Sequence, residues 1–263
     1  MTGPLPRLVG MVHLLPLPGS PGFGGSIDEV VETAVEDARV LTDAGFPALI
    51  VENFSDAPFF AESVPAETTA AMAVAVSAVA ETDATIGVNV LRNDAAAAVG
   101  IAAATGAAFI RVNVLTGLMY TDQGPITGKA AELARARSRL ALDVEIWADV
   151  LVKHAVAPPG TDIGQVARDT IERGGANALI VSGAGTGDEL DLDQAAAVRD
   201  AVPDGTRLVA GSGVTADSLG RILDVVDTII VGSSIKADGD ANRRPDPLRV
   251  KAFMEQAAER GLA

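Results

Sequence analysis

The stretch TIGVNVLRNDAAAAVGIAAATGAAFIRVNV, residues 85–114, holds one full repeat of the pattern that decides the fold. Two apolar runs, Thr85–Leu91 and Phe109–Val114, flank an alanine-rich segment, Asp94–Thr105. Short apolar runs rich in valine and isoleucine are typical of buried strands, and the longer segment between them is typical of a helix. The stretch therefore predicts two parallel strands that are joined by a helix.

The same alternation continues along the whole chain of 263 residues. The apolar runs predict strands at Leu8–His13, Ala48–Asn53, Thr85–Leu91, Phe109–Val114, Val144–Val150, Ala178–Ser182, Leu208–Ala210 and Thr228–Val231. Helices are predicted at Ile27–Ala44, Ala66–Glu81, Asp94–Thr105, Gly128–Leu142, Ile163–Arg173, Leu192–Ala201, Ala216–Leu223 and Pro247–Arg260. These eight units predict a single α/β domain, a (β/α)8 TIM barrel over residues 1–263, and an open doubly wound sheet is the alternative.

The composition excludes several classes of function. A net charge of −15 repels a phosphate backbone, so nucleic acid is not an expected partner. Because the chain has no cysteine, neither disulfides nor thiolate chemistry is expected. The longest uncharged segment, Ala95–Ile110, falls short of the ~20 residues that span a bilayer, and the N-terminal residues lack the pattern of a secretory signal. We therefore expect a cytoplasmic protein without a transmembrane segment.

Lysine is rare in this acidic chain and stands only at positions 129, 153, 236 and 251. An acidic, lysine-poor composition predicts a halophilic protein, adapted to high salt. An acidic protein from an ordinary medium is the alternative.

Polar residues that follow the predicted strands mark the candidate active site, because TIM barrels place their active sites at the C-terminal ends of the strands. Both histidines of the chain lie at such positions. The predicted catalytic residues are His13, Glu52, Asp149 and Lys153, whose side chains can move protons. The predicted substrate-binding residues are Asn53, Asn89, Arg92, Asn113, Asp122 and His154. Lys153 has two further options, a Schiff base with a carbonyl substrate or a contact with phosphate.

Glycine-rich loops after the last strands predict a phosphate site. The loops are AGSGVTADS, Ala210–Ser218, and VGSSIKADG, Val231–Gly239. Glycines allow a ligand to approach the backbone, and successive N–H groups bind anions. The predicted phosphate-binding residues are Ser182, Gly183, Gly211, Ser212, Gly213, Gly232, Ser233 and Ser234. Tight turns that need glycine for their own geometry are the alternative.

Alternating polarity within two strands predicts further contacts at the barrel interior. In FIRVNV and VEIWADV, polar residues recur at every second position, which places them on one face of each strand. We expect Arg111 to pair with Glu145 on the next strand. Glu52, Asp122 and Asp149 together form a candidate Mg²⁺ site, although no spacing between them demands a metal.

Several blocks of the sequence resemble the BtpA/SgcQ family. They are HLLPLPGSP (13–21), VENFSDAPF (51–59), GVNVLRNDA (87–95), FIRVNVLTG (109–117), TDQGPITG (121–128), ADVLVKHA (148–155), TIERGGAN (170–177) and VGSSIK (231–236), and they occur in order. The resemblance implies a TIM-barrel fold. The family that the chain resembles has two branches. One is named for a role in photosystem I biogenesis, and the other for a sugar-metabolism operon. The resemblance supplies no set of catalytic residues.

Three functions are compatible with these observations. The first is an enzyme that acts on a small phosphorylated metabolite, a sugar phosphate, as an isomerase or a lyase of the aldol type. The second, implied by the resemblance, is a non-catalytic accessory factor in the biogenesis or stability of a membrane complex. The third is a barrel that binds a phosphorylated ligand without chemistry. A homo-oligomer is compatible with each of them.

Overall fold

The computed structural model describes residues 6–140, 142–183 and 185–262. Its strands are β1 (Leu8–His13), β2 (Ala48–Glu52), β3 (Thr85–Asn89), β4 (Phe109–Val112), β5 (Leu118–Thr121), β6 (Gly124–Thr127), β7 (Glu145–Asp149), β8 (Ala155–Val156), β9 (Ala178–Val181), β10 (Arg207–Ala210) and β11 (Thr228–Val231). Its α-helices are α1 (Ile27–Asp43), α2 (Ala66–Val79), α3 (Ala95–Thr105), α4 (Ala130–Leu140), α5 (Ile163–Glu172), α6 (Leu192–Ala201), α7 (Leu219–Leu223) and α8 (Pro247–Ala258).

Eight parallel strands form a closed barrel in the order β1-β2-β3-β4-β7-β9-β10-β11. The last strand closes the ring against the first, with Leu8 beside Ile229 and Gly10 beside Val231. The strand order follows the chain order, so each helix returns the chain to the strand next to the one it left. The predicted TIM barrel is confirmed, and the open sheet is wrong because its two edge strands pair with each other.

Strands β3 and β4 end two residues earlier than predicted, because side-chain amides replace their last ladder bonds. After β3 the N–H of Leu91 donates to Asn53 Oδ1 over 2.7 Å. After β4 the N–H of Val114 donates to Asn93 Oδ1 over 2.9 Å. Both asparagines are buried and carry the chain out of the barrel into its loops. Helix α3 likewise begins one residue later than predicted, because Asp94 caps it by accepting from the N–H of Ala97 over 2.9 Å.

The lower interior of the barrel is filled by apolar side chains. The ring of Phe109 stacks on that of Trp147 with 4.2 Å between centroids. Gly87 lacks a side chain where a Cβ would overlap the Phe109 ring. The remaining members of this cluster are Val9, Met11, Ala48, Ile50, Ala178, Ile180, Val209 and Ile230. A second and larger apolar core lies between the barrel and its helices, which leaves polar groups to the mouth at the C-terminal end.

A small antiparallel sheet that the sequence did not predict stands at that mouth. Strands β5 and β6 form a hairpin after β4, and the short β8 pairs with β5 on its other side. Met119 and Ile126 pack with Val114 and Val152 to hold the hairpin on the barrel. Asp122 lies exposed in the turn of the hairpin. In the part of the chain described here, no helix is long and apolar enough to cross a membrane.

Candidate active site

A cavity opens at the C-terminal mouth of the barrel, and eight of the eighteen predicted site residues line it. Three of the four predicted catalytic residues line it: His13, Glu52 and Lys153. Five of the predicted phosphate-binding residues also line it, namely Gly211, Ser212, Gly213, Gly232 and Ser233. Thr186 and Gly187, from the loop after β9, complete the wall. The prediction that strand ends converge at one site agrees with this placement, while the role of each residue stays a prediction.

Lys153 carries an amine without a protein partner. Its side chain lines the cavity, and within residues 6–140, 142–183 and 185–262 its ammonium donates to no protein acceptor. Burial, followed by the charge of Arg111, lowers the pKa of Lys153 to about 8. Glu52 and Asp149 act in the opposite direction, with smaller effect than the burial. At neutral pH about a tenth of this amine is therefore uncharged.

Arg92 fixes the backbone that carries Lys153. Its Nη2 donates to the carbonyl oxygen of Lys153 over 2.5 Å, and only 5% of the residue is exposed. The two residues that flank the pair 152–153, Leu151 and His154, both adopt positive φ angles, 54° and 55°. Non-glycine residues rarely adopt this conformation, so the surrounding structure holds the loop in a shape that turns Lys153 toward the cavity. Arg92 was predicted to bind substrate, and the structure places it as a support of Lys153.

Arg111, Asp149 and Asn113 form a buried network beside the cavity. Arg111 donates to both oxygens of Asp149, from Nε over 2.9 Å and from Nη2 over 2.8 Å. Asn113 Nδ2 donates to Asp149 Oδ2 over 3.0 Å, and its own Oδ1 is buried without a partner. Because both carboxylate oxygens already accept hydrogen bonds, Asp149 is placed to orient Arg111. The predicted catalytic role of Asp149 stays a prediction.

The expected pair between Arg111 and Glu145 is wrong. The register sets Glu145 beside Phe109 and Arg111 beside Trp147, so Glu145 lies one step nearer the bottom of the barrel. There it accepts from Trp147 Nε1 over 2.9 Å and lies 3.4 Å from Arg207 Nη1. Alternation places residues on the correct face of a strand, but only the register between strands decides which of them meet.

His13 and Glu52 stand side by side at the ends of β1 and β2. Glu52 accepts from Asn89 Nδ2 over 2.5 Å and lies 3.7 Å from His13 Nε2. The His13 ring stacks on Phe54, with 4.2 Å between the ring centroids. Burial, and then the charge of Lys236, lower the pKa of His13 well below its usual value. His13 is therefore neutral at neutral pH.

Lys236 and Ala241 both contact the His13 ring. Lys236 Nζ donates to Ala241 O over 2.9 Å and lies 2.8 Å from His13 Nδ1. The same Nδ1 lies 2.9 Å from Ala241 O, so it has both a donor and an acceptor within hydrogen-bond distance. Burial lowers the pKa of Lys236 to about 8, so its charged form still predominates at neutral pH. The sequence predicted no role for Lys236, because its burial depends on the folded loop.

The remaining predicted substrate-binding residues lie outside the cavity wall. Asn53 is 1% exposed and bonds to Asp56 and Leu91, so its amide organises the loop after β2. Asp122 lies at the hairpin turn, where it accepts from Gln123. Within the described residues no three histidine, aspartate or glutamate side chains lie close enough to hold a metal. The magnesium site of Glu52, Asp122 and Asp149 stays a prediction that this geometry does not favour.

His154 binds the loop that covers the cavity. Its Nε2 accepts from the N–H of Thr186 over 3.1 Å and lies 2.9 Å from Thr186 Oγ1. Burial, and then the charge of Lys153, lower the pKa of His154. Because Nε2 accepts from an amide, the bound ring is the neutral tautomer with its proton on Nδ1. The contact joins the loop after β9 to the loop that carries Lys153.

The loops after β10 and β11 offer backbone donors to the cavity. In the described part of the chain, the N–H groups of Ser212, Gly213, Ser233 and Ser234 donate to no protein acceptor. Other predicted phosphate ligands are already engaged. The N–H of Gly211 donates to Val181 O, that of Gly183 to Ser212 Oγ, and Ser234 Oγ to Val214 O, over 2.8, 3.1 and 2.7 Å. Ser182 Oγ is buried and has no hydrogen-bond partner among the residues that the structure describes.

Gly213 is needed for the covering loop. It has a φ of 71°, and a Cβ there would overlap the carbonyl oxygen of Asp188. The alternative explanation, a turn that needs glycine, therefore holds for this residue. It remains compatible with an anion at the neighbouring amides, because the N–H of Gly213 donates to no acceptor among the described residues.

Comparison with known proteins gives relatives and structural neighbours. The sequence profile of the BtpA family matches residues 6–259. Photosystem I biogenesis protein BtpA from Synechocystis sp. is 46% identical over 254 residues, which are 96% of this chain and 88% of that protein. Putative sgc region protein SgcQ from Escherichia coli (strain K12) is 32% identical over 253 residues, 95% of this chain and 93% of that protein.

Solved structures of other barrels share the fold. Phosphoribosyl anthranilate isomerase from Thermus thermophilus superimposes with a TM-score of 0.58 at 13% identity, covering 96% of this chain and 98% of that one. N-acetylmannosamine-6-phosphate 2-epimerase from Clostridium perfringens gives a TM-score of 0.54 at 14% identity, covering 95% of this chain and 92% of that one. At these identities the likeness shows the fold alone.

Proposed function

The chain belongs to the BtpA family, and from this membership and the geometry of the barrel mouth we propose that it is an enzyme acting on a small sugar phosphate. One observation carries the proposal. A single cavity combines the amine of Lys153 with backbone N–H groups, and among the described residues none of these donors has a protein acceptor. Buried or half-buried donors without partners are costly, so their concentration in one cavity indicates a ligand rich in acceptor atoms.

A phosphate group fits the donors of the two glycine-rich loops. Ser212, Gly213 and Ser233, whose amides donate to none of the described protein groups, follow the neighbouring strands β10 and β11 and line the same cavity. Phosphate has several acceptor oxygens and a negative charge, and loops at this place in TIM barrels commonly bind it. In a chain of net charge −15, anion binding depends on such local donors. By their names, the two neighbouring barrels act on phosphorylated sugars.

The reacting part of the substrate would then face Lys153, Glu52 and His13. Glu52 is held by Asn89, and its other oxygen lies 3.7 Å from Nε2 of His13. A carboxylate next to a neutral imidazole suits proton transfer at adjacent carbons, because each group can accept a proton and pass it on. This is the chemistry of an isomerase or of an aldol-type lyase. Arg111 adds positive charge for a second anionic group or a developing oxyanion.

The proposal is tested by thermal unfolding in the presence of ligands. The panel contains inorganic phosphate, triose, pentose and hexose phosphates, and the same sugars without phosphate. A ligand at 100 times its Kd stabilises the folded state by about 2.7 kcal/mol. We expect a rise in Tm with one or more sugar phosphates and none with their dephosphorylated counterparts. Equal shifts with both forms, or no shift with any phosphorylated compound, would contradict the proposal.

A matched pair of variants at Ser233 tests whether the phosphate binds to the backbone amides of these loops. Ser233→Asp puts a carboxylate among the donors, and Ser233→Asn has nearly the same size without the charge. We expect the aspartate to weaken phosphate binding by at least about tenfold through like-charge repulsion, and the asparagine to change it by less than about threefold. Isothermal titration with the best ligand of the panel measures both. Similar affinities in the two variants would locate the phosphate elsewhere.

An accessory role in assembling a membrane complex is the second candidate. The observation in its favour is the name of the Synechocystis relative, which is 46% identical. Complementation of a strain that lacks this relative separates the two candidates. A binding role predicts that Lys153→Met complements as well as the unchanged chain, because the substitution lies inside a cavity. An enzymatic role predicts that Lys153→Met does not complement.

A further inference from the structure

We infer that Lys153 is a nucleophile that forms a Schiff base with the carbonyl carbon of the substrate. The inference rests on the proposed function and names its substrate class as a phosphorylated aldehyde or ketone. Of the roles open to Lys153, phosphate contact is the weaker one, because backbone amides in the same cavity already offer donors for an anion.

Comparison of the two buried lysines supports the assignment. Lys236 is 1% exposed, and its Nζ is engaged by Ala241 O and His13 Nδ1. Lys153 is half-buried, lines the cavity and donates to none of the described protein groups. A nucleophile needs a lone pair and a path to the substrate. Only Lys153 combines an open position with a lowered pKa, about 8.

The charges around Lys153 suit both the amine and the imine. Arg111 and Arg92 disfavour the ammonium and so increase the fraction of neutral amine. Glu52 and Asp149 provide negative charge nearby, which offsets the positive charge of a protonated imine. The backbone hydrogen bond from Arg92 holds the attacking residue in place without occupying its amine. The site is therefore prepared for a nitrogen that is neutral before the attack and charged after it.

The chemical step balances without an oxidant or a metal. The neutral amine attacks the carbonyl carbon, a C–N bond forms, and the carbonyl oxygen takes up a proton to give a carbinolamine. The C–O bond then breaks, the hydroxyl group takes a further proton and leaves as water, and one nitrogen proton remains on the iminium. Overall, the carbonyl, the amine and one proton give the iminium and water. Glu52 and His13 are the groups placed to relay these protons.

The iminium can accept the electron pair of a neighbouring bond. Cleavage of the bond between the α and β carbons of the imine gives an aldol-type lyase, and removal of a proton from the α carbon gives an isomerase. In either case water later attacks the imine carbon and releases the product from Lys153. Because the donors and the lysine line one cavity, the carbonyl and the phosphate belong to one short carbon chain.

Reductive trapping tests the inference. The full chain is incubated with dihydroxyacetone phosphate, glyceraldehyde 3-phosphate or fructose 6-phosphate, reduced with sodium borohydride, digested and analysed by mass spectrometry. We expect at least about tenfold more adduct on Lys153 than on any other lysine. Labelling should increase as the pH rises through about 8, because the neutral amine is the reactant. Lys153→Met should lose the adduct, and Lys129→Met, at a lysine outside the cavity wall, should keep it.

The outcomes separate this inference from the proposed function. A probe that raises Tm but leaves no adduct on Lys153 overturns the Schiff base and leaves the sugar-phosphate enzyme standing. Adducts spread evenly over the four lysines, or retained in folded Lys153→Met, also overturn it. If no phosphorylated compound raises Tm, the proposed function fails and the inference fails with it. Circular dichroism of each variant shows that a lost adduct is not a lost fold.

Discussion

The mouth of the barrel is divided into two halves that present different chemistry to the cavity. The side-chain half, at the ends of β1, β2, β3, β4 and β7, presents charged and polar side chains such as Glu52, Arg111 and Lys153. The amide half, at the ends of β9, β10 and β11, presents glycines, serines and backbone N–H groups. Under the proposed function, the titratable groups of the side-chain half would serve the reaction, and the fixed dipoles of the amide half would hold the phosphate.

Removing the amine of Lys153 breaks the side-chain half and leaves the amide half intact. Lys153→Met keeps the length and apolar stem of the side chain. We expect kcat on the substrate found by the ligand panel to fall about 10³-fold, and phosphate affinity to change by less than about threefold. Kinetics and calorimetry on the same preparation measure the two effects. A parallel loss of binding and turnover would show that the two halves do not act separately.

Asp149→Asn leaves Arg111 buried without its ionic partner. Side-chain exposure in this pair is 2% and 1%, so water cannot replace the lost charge. We expect the free energy of unfolding to fall by about 3 kcal/mol. Glu145→Gln is the control, because its pair with Arg207 is partly exposed and its loss should cost less than about 1 kcal/mol. Urea denaturation measures the free energy of unfolding of both variants. Equal losses would contradict the larger contribution expected of the buried Arg111–Asp149 pair.

Gly213→Ala tests the packing of the amide half against the covering loop. Gly106 has a similar positive φ, 77°, but a Cβ there meets no atom within 4 Å. We expect Gly106→Ala to cost about 1 kcal/mol from backbone strain alone. Gly213→Ala adds an overlap with the carbonyl of Asp188, so we expect at least about 2 kcal/mol, together with weaker phosphate binding. Equal losses of stability in the two variants, measured by thermal unfolding, would mean that the covering loop moves to accommodate the Cβ at no energetic cost.

The smallest expected effect is the dependence of stability on pH. Both histidines have lowered pKa values in the folded state, so the neutral rings stabilise it fully above the unfolded pKa of about 6.5. As the pH falls from 7 to 6, the unfolded chain takes up protons first, and the free energy of unfolding should decrease. His13→Gln should flatten this dependence more than His154→Gln, because His13 is the more deeply buried. Asp37 and Asp56, whose pKa values are raised, oppose the trend at lower pH.

The barrel could be predicted from the sequence because it depends on local patterns. Apolar runs such as Thr228–Val231 appear at the predicted positions, and regular spacing leaves few alternatives to closure. The hairpin of β5 and β6 was not predicted, because its two strands are short and contain few apolar residues. Met119 and Ile126 are buried in a cluster that also needs Val114 and, from the loop after β7, Val152. The early ends of β3 and β4 were also missed, because they depend on the side chains of Asn53 and Asn93.

The candidate site could be located from the sequence, but its internal partners could not. The position of Lys153 and His13 followed from the rule that strand ends meet at one mouth. The pairing of Arg111 with Asp149 instead of Glu145 depends on the register between β4 and β7, which no local pattern encodes. The burial of Lys236 depends on residues 237–241, whose path brings Ala241 O to its ammonium. Such contacts are properties of the packed loops.

The unengaged amides of the loops after β10 and β11 have a consequence for mutational robustness. A donor that belongs to the backbone persists whatever side chain its residue carries, provided that the loop keeps its shape. A saturation scan of Ser233 should therefore tolerate many neutral residues and reject proline, which alone removes the donor. Ser212 should tolerate fewer, because its Oγ accepts from the N–H of Gly183. Under the proposed function, the amide half could change side chains such as that of Ser233 without losing the phosphate, whereas Lys153 has no substitute in the side-chain half.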